Sequence, residues 1–325
     1  MDLQLLEKLT QVFGPSSAED RARELIEGEV TGLVDETWVD PLGNLVAHRK
    51  GNGKKLILAA HMDEIGLMVT HVDQEGFLRF TRIGGLSPLT CIGGRVRFED
   101  GTLGVIYLER RDDTSKPPTL EQLYIDVGAT SKEDAPVGVG AIGVFVRPLE
   151  QQGTRIISKT LDNRIGCYVL IEVLRQLKES DYDLYALFSA QEEITLSGAR
   201  TGAYRIDPDL AIAIDVTGTG DTPKARPMAV ALGKGPAVKV KDAGMIAHPI
   251  ARQLLVDAAE KADIPYQLEI LAGGSTDAAA MQLVRAGVVS GCLSIPCRYI
   301  HSPSEMVDSE DVENAIQLLL TLLAG

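Results

Sequence analysis

Apolar positions along this chain recur first at helical and then at strand spacing. Leu5, Leu6, Leu9, Val12 and Phe13 share one helical stripe until Gly14-Pro15 ends the run. Ser16-Ser17-Ala18-Glu19 reads as a capping box for a second helix that turns Leu25 and Ile26 inward. Strand-like segments at Glu36–Val39 and Asn44–His48 flank the turn Asp40-Pro41-Leu42-Gly43. Lys55–Ala60 (KLILAA) then reads as a strand buried on both faces.

From Val69 to Ile157 the texture changes to short alternating segments between glycine-rich turns, with little helical periodicity. After Ser158 strands and helices alternate again. Asn163–Lys178 carries Ile165, Val169, Val173 and Leu177 on one helical stripe, and Leu184–Ser189 and Leu210–Asp215 are buried strands. Helices at Pro249–Ala262 and Thr276–Arg285 alternate with strands at Tyr266–Leu271 and Val288–Ile295, and Ser309 is placed to cap a last helix. The pattern predicts an α/β fold: a mostly parallel sheet flanked by helices, with an inserted small all-β domain. Residues 1–68 plus 158–325 make the main domain and 69–157 the insertion.

The 325 residues are 45% hydrophobic and 24% charged, a globular composition. Lys and Arg total 32 against 46 Asp and Glu, a net charge of −14 that disfavours nucleic acid and anionic membrane as partners. No apolar run approaches the roughly 20 residues a bilayer requires, and no basic start precedes an apolar stretch, so a cytoplasmic chain is expected. The four cysteines (Cys91, Cys167, Cys292, Cys297) form no CxxC pair and sit among apolar neighbours, as buried reduced thiols do.

In sheets wound this way, functional residues collect beyond the carboxyl ends of the strands. The segments just past the predicted strands fit that rule: His61-Met62-Asp63-Glu64, then Gln191-Glu192-Glu193, then Asp215, then Tyr299-Ile300-His301. Asp162 lies on the loop before the Asn163 helix. Histidine with carboxylates suits zinc, cobalt or manganese, and the lack of cysteine argues against a structural zinc site. Asp162, Glu193, Asp215 and one hydroxide carry four negative charges, which two divalent ions balance. Asp63 is two residues from His61, so in extended backbone it can orient that ring. Adjacent Glu192 and Glu193 cannot point the same way and so have separate tasks. His48, His71 and His248 have no such neighbours. The turn Gly273-Gly274-Ser275-Thr276-Asp277 reads first as a plain glycine-rich helix start, whose backbone N–H groups could also receive a substrate carbonyl or carboxylate.

The segments AAHMDEIGLMV, KTLDNRIGCYVLIEVL, SAQEEITLSGAR, AIDVTGTGDTP and RYIHSPSEMV occur in the order and spacing of a known group. The chain resembles the dinuclear metallo-aminopeptidases that assemble into tetrahedral dodecamers, the glutamyl, leucyl and deblocking aminopeptidases, some of which carry an endoglucanase label. The likeness covers nearly the whole chain, including GPSS, DPLGNLVA and GGSTDA. It implies that His61 and Asp215 are metal ligands, that Asp162 bridges two ions, and that Glu193 and His301 complete the pair. It implies further that Glu192 is the catalytic base, that Asp63 supports His61, and that the β insertion is a dimerisation domain.

The expected activity is removal of amino-terminal residues from short peptides by a water bridging two divalent ions, zinc or cobalt, in a homododecamer built from dimers. A glycoside hydrolase using a carboxylate pair such as Glu192 and Asp162 is the alternative. It needs neither histidine nor metal, and a single tryptophan (Trp38) with 5% aromatics makes a poor sugar platform. A non-catalytic scaffold conflicts with the complete set of ligand types. No pattern in the sequence identifies the substrate-binding residues.

Overall fold

The structure, a computed structural model, describes residues 1–325. Helices α1 (Leu3–Gln11) and α2 (Asp20–Val30) open the chain, followed by strands β1 (Glu36–Val39), β2 (Leu45–Arg49) and β3 (Lys55–His61). Six short strands come next: β4 (Gly66–Val72), β5 (Leu78–Ile83), β6 (Arg95–Phe98), β7 (Leu103–Leu108), β8 (Leu123–Asp126) and β9 (Ile142–Phe145), with one helical turn, α3 (Pro88–Cys91). Beyond them lie β10 (Glu150–Gln152), β11 (Arg155–Ser158), α4 (Leu161–Gln176), β12 (Asp183–Ser189), α5 (Glu192–Thr195), α6 (Ser197–Ile206), β13 (Leu210–Thr217) and β14 (Ala237–Lys241). The chain ends with α7 (Pro249–Lys261), β15 (Gln267–Ile270), α8 (Asp277–Gln282), β16 (Val289–Arg298), β17 (Glu305–Asp308) and α9 (Ser309–Leu323).

Eleven strands form one sheet in the order β1-β2-β12-β3-β13-β16-β17-β11-β10, with β14 and β15 attached beside β16. Its centre, β12-β3-β13-β16, is parallel, while the strands on either flank return antiparallel. The alternation along β3 explains why this centre needs helices on both sides. Leu56, Leu58 and Ala60 enter the larger core under α1, α4, α7 and α9, whereas Ile57 and Ala59 enter the smaller core under α6 and α8. Each fully buried leucine or isoleucine contributes about 1.5–3 kcal/mol.

Strands β4 to β9 close into a barrel around a separate core that includes Leu67, Phe80, Phe98, Ile106 and Ile125. The barrel strands therefore run from Gly66 to Phe145. Segments 150–152 and 155–158, grouped with the insertion by their pattern, pair instead into the large sheet through β17. Short alternating strands look alike in sequence, and only their partners tell them apart.

Two expected caps also differ. Asp308 rather than Ser309 caps α9, through the Glu310 N–H at 2.9 Å. Ser16 and Glu19 form no capping box on α2, which has no side-chain cap. Both side chains bond instead to distant segments, Ser16 to Asp63 and Glu19 to the Gln191 N–H. The joint between α1 and β3 is made by Arg164, fully buried at the start of regular helix in α4. It donates to the carbonyls of Met62 (2.6 Å), Leu9 (2.5 Å) and Gly14 (3.3 Å). Arg164→Met leaves the buried Met62 and Leu9 carbonyls without this donor, while the Gly14 carbonyl keeps the Glu64 N–H, and is expected to destabilise the protein by about 3–5 kcal/mol, as losing one partner of a buried charged network does. Guanidinium denaturation at equilibrium measures it.

Candidate metal centre

The carboxyl edge of the parallel strands gathers every residue singled out there by sequence. His61 ends β3, Asp162 precedes the regular part of α4, Glu192 and Glu193 open α5 after β12, Asp215 lies in β13, and His301 comes after β16. They line one cleft of about 590 Å³ together with Arg82, Gly84 and Gly85 of the barrel and Gly274 and Ser275. Two triads of donor atoms meet there: His61, Asp162 and Asp215, and Asp162, Glu193 and His301. Asp162 is common to both. Its Oδ1 lies 3.2 Å from His61 Nε2 and its Oδ2 lies 3.2 Å from His301 Nε2. Glu193 Oε2 is also 3.2 Å from His301 Nε2, and Asp215 Oδ1 is 3.8 Å from His61 Nε2.

These separations fit metal ions. Ligand atoms about 2.0–2.2 Å from a tetrahedral zinc lie about 3.3–3.6 Å from one another. Glu193 Oε1 is buried without any hydrogen-bond partner, which leaves its lone pairs free for a cation. Protonation gives the same answer. Burial pushes the carboxyls of Glu192 and Asp215 well above the usual range and raises that of Glu193. Burial alone would make the imidazoles less basic. Neighbouring carboxylates outweigh it, holding His301 protonated up to about 11 and His61 well above its ordinary value. Asp162, paired with both imidazoles, is held below the ordinary carboxylate range, so the two rings supply the positive charge that divalent cations would bring.

Asp63 connects several parts of this arrangement. Burial opposes its charge, yet the bonds from His61, Ser16 and the Glu192 N–H keep its carboxyl below the ordinary value. His61 Nδ1 hydrogen-bonds the Asp63 backbone carbonyl at 3.1 Å, and the carboxylate Oδ1 lies beside it at 3.3 Å. The same carboxylate accepts the N–H groups of Glu192 (3.0 Å) and Glu193 (3.2 Å), so it also holds the turn that carries both glutamates. Those glutamates do point apart: Glu193 reaches His301, while Glu192 Oε2 sits 3.9 Å from His61 Nε2 and belongs to neither triad.

Several supporting residues escaped the sequence reading. Ser16 donates to Asp63 at 2.6 Å, and Glu19 accepts the Gln191 N–H at 3.1 Å. Lys159 and Glu64 form a buried ion pair at 2.5 Å beneath Thr160. The only local signal at Ser16 and Glu19 is a capping-box pattern, which accounts for both residues without the site. The remaining histidines stand outside the site: His48 lies between Glu36 and Asp183, and His248 Nδ1 caps α7. All four cysteines are buried and unpaired.

Fold and site together define a metal-dependent hydrolase, with a parallel sheet presenting histidines and carboxylates at its carboxyl edge. Residues 43–318 match the M42 glutamyl aminopeptidase model, and the chain belongs to that family. The lysyl aminopeptidase of Pyrococcus furiosus is 39% identical over 99% of this chain and 97% of its own length. An aminopeptidase from the archaeon Desulfurococcus kamchatkensis is 44% identical and superposes with a TM-score of 0.95, covering 98% of this chain and 93% of that one. The Pyrococcus horikoshii TET1 peptidase, described as assembling into a tetrahedron or a large octahedral shell, is 32% identical with a TM-score of 0.90 over 99% of each chain. The protein is a metal-dependent aminopeptidase, and the glycoside-hydrolase alternative falls away.

The barrel touches the site through two glycines. A Cβ at Gly84, whose φ is +73°, would lie 2.8 Å from Glu193 Oε2, and a Cβ at Gly85 would lie 2.3 Å from His301 Nδ1. Gly85→Ala is therefore expected to displace His301 and lower retained metal by about one ion per chain. Metal analysis after gel filtration, beside a circular dichroism spectrum that stays wild-type, checks this.

Proposed function

We propose that this chain removes amino-terminal residues from short peptides using two divalent ions, zinc or cobalt. His61, Asp162 and Asp215 would hold one, and Asp162, Glu193 and His301 the other. The observation that carries this reading is the shared Asp162, whose two oxygens face two different histidines at 3.2 Å. Bound there, the ions supply Lewis acidity, lowering the pKa of a water towards neutrality and polarising the scissile carbonyl. The chain's own residues divide the remaining work. Asp63 fixes the ring of His61 and the backbone of the glutamate turn. Glu192, free of both triads, takes the proton of the attacking water on its carboxylate and passes it to the leaving amine.

Glu192→Gln keeps shape and should retain both metals while kcat falls by about 10² or more, the range a general base contributes. Glu193→Gln should lose metal first. Emptied sites in Glu192→Gln with full loading in Glu193→Gln would reverse the two roles. Dialysis against a chelator should abolish peptide cleavage and lower Tm, and restoring zinc or cobalt should return both. Peptide cleavage by the fully stripped protein would refute the metal reading.

Residues 69–157 are proposed to serve dimerisation, and the dimers to build a dodecamer whose active sites face an enclosed cavity. In support, the outer face of barrel strand β7 carries Leu103, Val105 and Tyr107 at 58%, 43% and 54% exposure, an apolar row open to water. The shell described for the Pyrococcus horikoshii relative agrees with closed assembly. Val105→Glu is expected to give a smaller particle by sedimentation with unchanged metal content, and an unshifted particle would remove β7 from the interface. Four buried, unpaired thiols support a reducing compartment, the cytoplasm.

A further inference from the structure

One carboxylate outside both triads joins two of their members. Glu305, the first residue of β17, is only 1% exposed. Its Oε2 accepts the Asp162 N–H at 2.8 Å, and its Oε1 accepts the His301 N–H at 3.0 Å. We propose that Glu305 is a positioning residue for the metal position formed by Asp162, Glu193 and His301. The inference rests on the two-metal reading of the site.

The two histidines of the site are supported in different ways. The His61 side chain is 2% exposed, and its Nδ1 is held by Asp63, whose backbone carbonyl lies at 3.1 Å and whose carboxylate Oδ1 lies at 3.3 Å. The His301 side chain is 36% exposed, and its Nδ1 makes no hydrogen bond, meeting instead the space over Gly85. No acceptor holds this ring from its Nδ1 side. Its placement rests on its backbone, which sits at φ 60°, a left-handed conformation that an L residue adopts only when its surroundings hold it there. The one side-chain acceptor on that backbone N–H is Glu305.

Glu305 uses one oxygen for each segment, so it fixes the distance between the chain before α4 and the chain after β16. That distance determines whether Asp162 Oδ2 and His301 Nε2 meet, as they do at 3.2 Å. Glu305 is itself placed by sheet register, opposite Ser158 at the end of β11. Its backbone is therefore tied to β11, the strand that leads into the segment carrying Asp162. A carboxylate is required, because each of its oxygens accepts. Glutamine offers one oxygen, and its amide NH2 would face the second N–H, donor against donor.

The test compares wild type, Glu305→Gln and Glu305→Asp as full chains. Metal-free protein is titrated with zinc by calorimetry, and the cobalt-loaded forms are followed by visible absorption. Glu305→Gln should bind one ion about 10–100-fold more weakly, the range seen when an outer partner of a ligand is lost, and the other with a clearly smaller loss passed on through the shared Asp162. The cobalt bands of one position should fade, and kcat should fall while KM stays within about threefold, since ground-state contacts are kept. Thermal melting of the metal-free proteins reports folding. Should Glu305→Gln not melt cooperatively, Glu305→Asp decides by the same criteria, its shorter arm reaching one N–H only. Two wild-type affinities in the variant, or equal weakening of both, would overturn the proposal. Uptake of a single ion by wild type would instead overturn the two-metal reading, a result visible before any variant is made.

Discussion

Four carboxylates and two imidazoles meet at the edge of one sheet, largely withdrawn from solvent, and the rest of the molecule is arranged around that crowding. Asp162, Glu192, Glu193 and Asp215 would repel one another strongly in a medium that screens poorly. The protein does not relieve this by spreading them. Asp63 accepts N–H groups from the very turn that carries two of these acids, and Glu305 accepts from Asp162 and His301. The backbone that carries these groups is thereby fixed in place, so the crowding cannot relax by movement of the chain.

Holding that geometry takes backbone in conformations that side-chain-bearing residues rarely adopt. Thr160, Gln191, Leu196, Tyr299 and His301 all have positive φ, and each lies within a few residues of a proposed ligand or base. Each costs on the order of 1 kcal/mol relative to ordinary backbone. The strands behind them offset that cost, since β3, β12, β13 and β16 are buried on both faces. Beneath the ligands lie further fixed charges. Lys159 pairs with Glu64, and Arg164 ties Met62 to the loop after α1, so the segment carrying Asp162 is anchored on its inner side as well.

Much of this was legible in the sequence because chain order carries it. A strand with apolar residues on both faces identifies the sheet centre, and the residues just after it identify the working edge, which yielded His61, Glu192, Glu193, Asp215 and His301. Asp162 emerged from its place before a periodic helix. The supporting residues were not legible, for a common reason: Ser16 with Asp63, Glu19 with Gln191 and Asp162 with Glu305 are contacts between distant segments. Ser16 and Glu19 had a local explanation, a helix cap, that satisfied propensity and was wrong. Gly84 and Gly85 looked like any turn glycines, and nothing local says that a ligand histidine fills the space above them. Strands β10 and β11 were misplaced for the same reason, because pairing is not written in a strand's own letters.

The two donor triads also differ in what builds them. His61 and Asp215 belong to adjacent strands of one sheet, so their separation comes from parallel strand pairing and side-chain length. Glu193 and His301 come from a short helix and a loop, with the barrel's Gly84-Gly85 closing against both. The sheet thus sets two members of the first triad, whereas the second depends on how the barrel seats on it. A shift of the barrel towards the site would press on Glu193 and His301 while leaving His61 and Asp215 unmoved. Because Asp162 contributes to both triads, such a shift does not stay on one side: whatever moves His301 acts, through the 3.2 Å contact with Asp162, on the carboxylate that His61 shares. Metal affinity and barrel position are in this way two readings of one geometry.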